Sequence, residues 1–557
     1  MNKKRELKII LTAITIFFLI FLIAPIGKLL LQSFMADSSL SILNYTSIIT
    51  TNEFRKAIVN SFTVSILSAV ISTIIAFLLA YAVHYTNLGK TYKKLIQSVV
   101  VFPMLLPTIT YGFAIIYSFG KQGLITRLVG KQIFDIYGFN GLLAGYIIYT
   151  LPISFMLISN TMGYIDKKFT IVSRLMGDSK LKNLSMTVLR PLWGTIAISV
   201  IQAFFLSFTD FGIPASVGGK FEVISAILYK YMLGTVPDFG KGAVVAVVML
   251  LPSILSIVLL KKLEKYNIRY NKISEITVEK NKIRDTAFAV ISGITMLGIA
   301  AMFAVIFILP FIKDWPYNIG FTLEHIRAVF SDEIIVRICR NSILVAFITA
   351  LLGTIFAYIS AIVTERNNLG SKMKQGIEII ALITNTIPGM VLGLAYLFSF
   401  SGTSIQGTFT IIIICNMVHF FSTPYLMLKN TLSKLNSSWE TTAMLLGDSS
   451  IKTIIRIITP NVFSTLLEVF GYYVVNSIVT ISAVVFIAGT KTMVITTKIK
   501  ELQYFNKYNE VFVLSLLILV INLLSKYILR NLSEKNIKGK RTAKKIIRNK
   551  KEREILT

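Results

Sequence analysis

Apolar stretches of about twenty residues or more alternate with short polar loops along almost the whole chain. Such a stretch is long enough to cross a lipid bilayer as an α-helix. Backbone N–H and C=O groups find no water inside the bilayer, so a helix, which pairs them internally, is the expected form. The pattern predicts an all-α polytopic membrane protein with twelve spans, at residues 9–32, 57–85, 95–118, 138–161, 190–213, 241–261, 285–311, 337–364, 376–400, 406–428, 460–488 and 509–530.

Basic residues are concentrated in alternate loops and at both ends of the chain. The chain carries 57 Lys and Arg residues against 27 Asp and Glu residues, a formal net charge of +30. Because cytoplasmic loops of membrane proteins are enriched in Lys and Arg, we expect both termini in the cytoplasm, together with loops 86–94, 162–189, 262–284, 365–375 and 429–459. The charge follows the loops and the tail near lipid headgroups, so no nucleic-acid partner is expected.

The two halves of the chain repeat one another. Asn60-Ser61 and Pro107 recur 281 positions later as Asn341-Ser342 and Pro388, and a Gly-Asp-Ser triplet recurs after 270 positions. Several matches in register indicate a duplication, and six spans in each half give both halves the same orientation. The predicted domains are a first transmembrane half at 1–261, a cytoplasmic linker at 262–284, a second transmembrane half at 285–530 and a basic cytoplasmic tail at 531–557.

The chain has no recognisable catalytic or metal-binding motif of its own. The phosphate-binding pattern G-x-x-x-x-G-K-[ST] is absent; Gly219-Lys220 lacks the earlier glycine. The three histidines show no ligand spacing, and Cys339 and Cys415 fall in or beside apolar segments. We therefore expect no enzymatic activity, no metal site and no cofactor bound by this chain.

The repeated Gly-Asp-Ser triplet marks a polar, basic loop between the fourth and fifth spans of each half. Glycine permits a turn, and Asp and Ser are good N-cap residues for a following helix. A proline follows the glycine at nearly the same distance in both loops and can begin the next spanning helix. The expected structure is a helix-turn-helix projection in each half, built on Gly177, Asp178, Ser179 and Pro191 and on Gly447, Asp448, Ser449 and Pro460.

The second loop resembles the EAA motif of binding-protein-dependent ABC importer permeases. Glu440 and Ala443 occupy the acidic and alanine positions before Gly447, and Pro460 closes the motif. The first loop keeps Gly177, Leu189 and Pro191, but Thr-Ile-Val-Ser at 170–173 replaces the front of the motif, so the two loops are expected to be unequal.

The resemblance extends over nearly the whole chain and implies the type I ABC importer permease fold in the cell membrane. It implies that an extracytoplasmic binding protein delivers a small solute. Two cytoplasmic ATPase subunits would grip the loops, bind the ATP and supply the energy. Fused twelve-span relatives of this type include ferric-iron and 2-aminoethylphosphonate permeases.

A twelve-span secondary transporter is the alternative, because span count, central linker and parallel halves fit it as well. Two features favour the importer. The long cytoplasmic loop of each half lies between its fourth and fifth spans, and charge within the spans is sparse for an ion-coupled carrier.

Polar residues within the spans are candidates for a translocation pathway, since such residues tend to face protein or water. The candidates are Asp210, Glu468, Asn416 and His419. Alternatively, Asp210 and Glu378 lie in water at the membrane surface, and Asn416 and His419 form hydrogen bonds between helices. Pro103, Pro107 and Pro388 are expected to kink the third and ninth spans, either to open a passage or as plain features of the core.

Overall fold

The computed structural model describes residues 3–556 of the chain, apart from residues 37–38, 265–278, 367–370 and 437. Nine helices among these residues are long and apolar enough to cross a membrane, and three bent helix pairs raise the number to twelve if each pair is one span. The strands form two short antiparallel hairpins, Met35–Ala36 with Ser39–Leu40 and Ile312–Asp314 with Asn318–Phe321. The expected all-α polytopic fold is confirmed.

The first half consists of helices that differ widely in length. In chain order they are Lys3–Phe18, the π-helical turn Leu19–Ile23, Ala24–Ser33, Leu43–Ile49, Asn52–Tyr85, Lys90–Val101, the 3-10 turn Phe102–Leu105, Thr108–Phe119, Leu124–Val129, Phe139–Gly163, Lys168–Leu175, Lys180–Leu184, the π-helical turn Ser185–Leu189, Arg190–Thr209, Gly212–Val217, Ile224–Leu233 and Phe239–Glu264.

The second half follows the same plan. Its helices are Lys282–Ile308, the 3-10 turn Leu309–Phe311, Glu324–Ser331, Glu333–Glu365, Ser371–Thr386, Gly389–Phe400, Phe409–His419, Ser422–Leu432, Ser438–Leu445, Ser450–Thr453, the π-helical turn Ile454–Ile458, Thr459–Val479, Val484–Ile487, the 3-10 turn Thr490–Thr492, Ile495–Tyr504 and Tyr508–Leu556. Most of the predicted linker 262–284 lies outside the described residues, and the last helix continues through the predicted start of the tail at residue 531.

Small residues let the long helices of the first half approach closely. Helix Asn52–Tyr85 buries a row of Ser, Thr and Ala side chains against Phe139–Gly163 and Arg190–Thr209. Hydroxyl groups link the three helices: Thr150 Oγ1 lies 2.9 Å from Ser72 Oγ, and Thr73 Oγ1 lies 3.3 Å from Ser199 Oγ. Where lipid removes the usual hydrophobic gain between helices, close packing and such bonds hold a bundle together.

The first helix of each half packs against the other half. The Tyr396 hydroxyl of the second half donates a 2.6 Å hydrogen bond to the Phe21 carbonyl, and Phe18 packs edge-on against Phe356. Conversely, the Tyr92 hydroxyl of the first half donates to the Ala289 carbonyl at 2.9 Å. The first helical segment of each half thus contacts the other half.

The third and ninth spans are sharply bent at the prolines identified in the sequence. The helix axes turn by 109° between Lys90–Leu105 and Thr108–Val129, and by 105° between Lys374–Thr384 and Gly389–Phe400. Pro107 and Pro388 both adopt extended backbone angles at the bends. A proline has no N–H to donate and pushes the preceding residue out of the helical region, so the helix stops and restarts there. The expected kinks at Pro107 and Pro388 are confirmed.

Two predicted spans are too long at their outer ends. The predicted spans 190–213 and 460–488 correspond to helices that end at Thr209 and Val479. The backbone turns extended at the next residue in both halves, with φ −69° and ψ 140° at Asp210 and φ −71° and ψ 134° at Thr480. Asp210 and Thr480 therefore occupy matching positions in the two halves, at the same offset as the two Gly-Asp-Ser triplets.

Candidate functional site

Each Gly-Asp-Ser loop forms the projection that its sequence predicts: a short helix, a tight turn and a second helix. The first loop runs from Lys168–Leu175 into Lys180–Leu184, and the second from Ser438–Leu445 into Ser450–Thr453. The turn itself places Gly177 at φ +81° and Gly447 at φ +79°. Residues with a side chain rarely adopt this left-handed conformation, which explains the glycine in both loops.

The turn is closed by matching hydrogen bonds in the two loops. The amide of Asp178 donates to the Ser173 carbonyl at 3.1 Å, and the amide of Asp448 donates to the Ala443 carbonyl at 2.9 Å. The hydroxyls of Ser179 and Ser449 each accept a 3.3 Å bond from the amide three residues on, which caps the second helix.

An ion pair spans the start of the second helix in each loop. Asp178 lies 2.6 Å from Lys182 Nζ, and Asp448 pairs with Lys452 in the same way. In the first loop the Ser173 hydroxyl also donates to Asp178, at 2.8 Å, whereas Ala443 stands at the matching position of the second loop. The Lys182 and Ser173 bonds lower the pKa of Asp178 below its usual value.

Large apolar side chains stand exposed at the tip of each loop. In the first loop Leu175, Met176 and Leu181 are 82%, 77% and 80% exposed. Their counterparts in the second loop, Leu445, Leu446 and Ile451, are 83%, 78% and 63% exposed. Two matching apolar tips on polar, basic loops are typical of surfaces that another protein covers.

The second helix of each loop continues into the next membrane span. A π-helical turn, Ser185–Leu189 or Ile454–Ile458, joins the two, so apolar helices run from Lys180 to Thr209 and from Ile451 to Val479. Pro191 and Pro460 lie in the first turn after the π-helical turn and do not begin a separate helix, which corrects the expectation from the sequence. The wider turn accommodates a residue that cannot donate a backbone hydrogen bond.

Glu440 anchors the front of the second loop to the bundle. Its carboxylate accepts two 2.6 Å bonds from Arg366, which follows the end of helix Glu333–Glu365. Arg366 is 7% exposed and also donates to the carbonyls of Leu435 and Asn436, at 2.8 Å and 3.0 Å. The sequence motif singled out Glu440, but nothing in the motif indicated Arg366, which lies 74 residues earlier.

The front of the first loop is held by weaker contacts. Thr170 replaces the acidic residue, and its carbonyl accepts a 2.8 Å bond from the Asn183 side chain. Tyr85 stands at the position in the first half that corresponds to Arg366, and the Lys167 ammonium group lies 5.8 Å from its ring centre. Burial lowers the pKa of Lys167. The predicted inequality of the two loops is therefore visible in how each is anchored.

The end of the predicted linker, just before the second half, contacts the first loop. Glu279 forms an ion pair with Arg174, and its carbonyl accepts a 2.9 Å bond from the Asn87 side chain. A cleft of about 1360 Å³ lies between this segment and the loop, lined by Lys167, Lys180, Lys280 and Arg284 among others. The first loop therefore contacts the chain that leads into the second half, on a surface rich in positive charge.

The four candidate pathway residues lie in different surroundings and do not form one cluster. Glu468 is exposed on helix Thr459–Val479, one turn before Tyr472. Glu468 is thus not enclosed by the bundle, and its role in a pathway stays a prediction.

Asp210 is 8% exposed, so its suggested location in water at the membrane surface is wrong. Its carboxylate accepts a 2.9 Å bond from the Ile213 amide, and the Phe211 and Gly212 amides and the Thr108 hydroxyl also donate to it. Asp210 therefore caps the helix that follows it and ties this helix to the bend at Pro107. By contrast, Glu378 is 40% exposed and pairs with Lys429, in keeping with a position at the surface.

Asn416 and His419 lie on the same face of helix Phe409–His419, as expected. They do not form the hydrogen bonds between helices that the sequence also suggested. Asn416 is 1% exposed, and among the described residues neither its amide nitrogen nor its amide oxygen has a partner. His419 Nδ1 is also buried without a partner among those residues. The alternative of a hydrogen bond between helices is wrong for this pair, while their role in a pathway stays a prediction.

Comparison with known proteins gives one family match and several relatives. The model of the family described as binding-protein-dependent transport system inner membrane component matches residues 72–266 and again residues 334–538. A putative ferric transport system permease protein FbpB 1 of Haemophilus influenzae is 23% identical over 504 residues, covering 87% of this chain and 78% of that protein. The ferric transport system permease protein FbpB of Actinobacillus pleuropneumoniae is 25% identical over 516 residues, covering 88% of this chain and 73% of that protein.

Shorter similarities concern one half at a time. A probable sulfate transport system permease protein cysT of Helicosporidium is 24% identical over 188 residues, covering 33% of this chain and 69% of that protein. Among solved structures, a bacterial ABC transporter involved in the import of the acidic polysaccharide alginate matches with a TM-score of 0.41 and 16% identity, covering 49% of this chain and 98% of that chain.

Proposed function

The chain belongs to the family of binding-protein-dependent transport system inner membrane components and is a permease of an ABC importer, and we propose that its two Gly-Asp-Ser loops are the docking points for two cytoplasmic ATPase subunits. The family match leaves the secondary-transporter alternative without support. The chain is a transport subunit of the inner membrane, and the ATP that drives it is bound by the partner subunits. Both termini lie on the cytoplasmic side with the loops.

The observation that carries the docking proposal is the pair of exposed apolar tips. Leu175, Met176 and Leu181 on one loop match Leu445, Leu446 and Ile451 on the other, each more than 60% exposed. Burying such side chains against a cleft stabilises a complex by roughly 25 cal/mol for each Å² removed from water. Two identical ATPase subunits would bind equivalent apolar tips, one on each half of the chain.

The helices that follow the tips carry motion from the docking point into the membrane. They extend over 30 residues to Thr209 and over 29 residues to Val479. Each is followed by an extended residue, Asp210 or Thr480. Two residues further on, Gly212 packs against Thr108 and Ser482 packs against Gly389, the residues that follow the two proline bends. When the two ATPase subunits close on each other, movement of the loops would displace these two helices and rearrange the interface between the halves.

Ferric iron is the solute that the relatives favour. Both ferric permease relatives cover 87% or more of this chain, whereas the sulfate relative covers 33%. An extracytoplasmic binding protein would deliver the solute to the outer face. A 2-aminoethylphosphonate solute rests on the resemblance of span-end patterns alone.

Co-purification tests the docking. The double variant Leu445→Asp/Leu446→Asp, extracted mildly from its native membrane, should bring down less ATPase subunit than the unchanged protein. Leu128→Asp is the matched control, because Leu128 is 76% exposed and lies outside both loops. Equal ATPase recovery from the loop variant and the control would overturn the docking proposal.

A further inference from the structure

The cleft between the first loop and the linker end, defined as residues 279–284, has basic side chains on both of its walls. Lys167, Arg174 and Lys180 line it from the loop, and Lys280 and Arg284 line it from the linker end. Its volume of about 1360 Å³ is above the roughly 300–1,000 Å³ of ordinary small-molecule pockets. The cleft therefore has room for a ligand with several polar groups.

The carboxylates that line the cleft are already paired. Glu279 forms an ion pair with Arg174, and Asp178 lies 2.6 Å from Lys182 Nζ. Each carboxylate thus balances a cation of its own. The remaining positive charge of the cleft has to be balanced from elsewhere.

Three lysines of the lining form no ion pair within the part of the chain that the structure describes: Lys167, Lys180 and Lys280. The remaining basic residue, Arg284, pairs with Asp285. Lys167 is only partly exposed, and burial lowers its pKa because the ammonium group loses hydration there. An anion in the cleft would compensate these charges.

The second half has an ion pair at the place where the first half has this cleft. Arg366 and Glu440, which form that pair, correspond to Tyr85 and Thr170 in the repeat. Tyr85 and Thr170 both line the cleft. The first half thus lacks the carboxylate that anchors the front of the second loop, yet it gathers basic side chains around the same position. A bound anion can supply the missing negative charge.

Hydrogen bonds hold the linker end in position against the first half. The Asn87 side chain donates to the Glu279 carbonyl at 2.9 Å. Asn281 caps helix Lys282–Ile308 by accepting a 3.0 Å bond from the amide three residues on. Lys280 lies between these two anchored residues, so the wall that carries it is fixed at the start of the second half.

From this arrangement we propose that the cleft binds a phosphate-bearing anion between Lys167 and Lys180 of the first loop and Lys280 of the linker end. A phosphate monoester carries about two negative charges near neutral pH and three strong acceptor oxygens, so it serves several ammonium groups at once. Bonds between charged partners of this kind are stronger than bonds between neutral groups. The anion ties the first loop to the linker end, much as Glu440 ties the second loop to Arg366.

Two sources offer this chemistry, a free phosphate ester and the headgroup of an anionic lipid. The cleft reaches Tyr81 and Tyr85, at the end of helix Asn52–Tyr85 and on the side that we place in the cytoplasm. Basic pockets at the cytoplasmic ends of spans bind lipid headgroups in other membrane proteins. A bound anion would hold the first loop at a fixed angle for its ATPase subunit. That consequence rests on the proposed function; the binding itself does not.

Hydrogen exchange of the first loop in the full chain tests the site without ATPase subunits or binding protein. The chain is placed in nanodiscs of phosphatidylcholine, and sodium phosphate or sodium pyrophosphate is added at constant ionic strength. Binding should slow the exchange of helix Lys168–Leu175 by about elevenfold when the ligand is at ten times its dissociation constant. Helix Ser438–Leu445 of the second loop should exchange at an unchanged rate.

A second set of nanodiscs distinguishes the two sources. These nanodiscs contain equal parts of phosphatidylcholine and phosphatidylglycerol, and no phosphate is added. Slower exchange of helix Lys168–Leu175 with added phosphate or pyrophosphate indicates a free phosphate ester. Slower exchange in the phosphatidylglycerol nanodiscs alone indicates a lipid headgroup.

A pair of double variants ties the effect to the cleft. Lys167→Gln/Lys280→Gln removes one cation from each wall and should abolish the slowing, while unchanged exchange of the spans shows that the fold is intact. Lys434→Gln/Lys535→Gln is the matched control, because it removes the same charge from two exposed lysines that do not line the cleft, and it should keep the slowing.

Three results would overturn the assignment. They are no slowing with any of the probes, equal slowing of the two loops, and the same slowing in both double variants. None of these results bears on the docking of the ATPase subunits, which is measured separately by co-purification and cross-linking.

Discussion

Arg366 and Glu440 form an ion pair with two hydrogen bonds of 2.6 Å, which joins the end of one membrane helix to the front of the second loop. Because Arg366 is 7% exposed and the side chain of Glu440 is 20% exposed, the pair is largely shielded from water. Paired bonds of this kind fix orientation as well as distance. The pair holds the second loop at a defined angle to the bundle, whereas Thr170 and Tyr85 occupy the corresponding positions at the first loop.

Glu440→Gln should loosen the second loop and reduce solute uptake. It removes the charge that pairs with Arg366 and leaves the guanidinium partly unpaired, at a cost on the order of 2 kcal/mol in local stability. Hydrogen exchange of helix Ser438–Leu445 should speed up while the spans exchange as before. Thr170→Val, at the corresponding position of the first loop, is the control and should have little effect; equal effects of the two changes would contradict the inequality of the loops.

Gly447→Ala should destabilise the turn of the second loop by about 1 kcal/mol, the usual cost of a left-handed conformation for a residue with a side chain. A Cβ at Gly447 meets no atom within 4 Å, so the cost is conformational and not steric. Gly89→Ala is the matched control, since its Cβ also meets nothing and its φ is −57°. Thermal unfolding of the two variants in the same lipid checks the difference; a loss of stability in Gly89→Ala as large as in Gly447→Ala would contradict this account of the turn.

Gly447→Arg should uncouple ATP hydrolysis from uptake while the protein still folds and inserts. The new side chain stands beside the apolar tip formed by Leu445 and Leu446 and would hinder the approach of a partner. ATPase activity and solute uptake, measured together in proteoliposomes, check the prediction. Normal uptake by this variant would count against a docking role for the loop.

Asp178 makes the first loop sensitive to acid. Its pKa is lower in the folded loop than in an unfolded chain, because Lys182 and Ser173 donate to its charged form. The stabilisation is therefore present above the unfolded pKa of about 3.9 and is lost as the pH falls through the folded value. Hydrogen exchange of helix Lys168–Leu175, corrected for the intrinsic rate, should rise on acidification below about pH 4. Asp178→Asn should remove this dependence, and a variant that keeps it would assign the effect to another group.

The sequence was sufficient for the duplication, the spans and the two loops, because each depends on local pattern. Apolar length identifies a span, and the Gly-Asp-Ser triplet specifies a left-handed turn followed by a cap. Contacts between distant residues could not be read in this way. The Arg366–Glu440 pair joins positions 74 residues apart, and Asp210 caps a helix whose start was hidden in a predicted continuous span. Polarity alone also could not distinguish Asp210, whose carboxylate accepts hydrogen bonds, from Asn416, whose amide has no partner in the part of the chain that the structure describes.

Cysteine cross-linking at the loop tips tests the docking of the ATPases most directly. The native Cys339 and Cys415 are both buried, so Leu175→Cys and Leu445→Cys each introduce one exposed thiol at a tip. A short bifunctional reagent applied to native membranes should link each tip to an ATPase subunit, with ATP changing the yield, while Leu128→Cys should give no such product. Absence of an ATPase cross-link from both tips, in membranes that contain the assembled importer, would contradict the proposal.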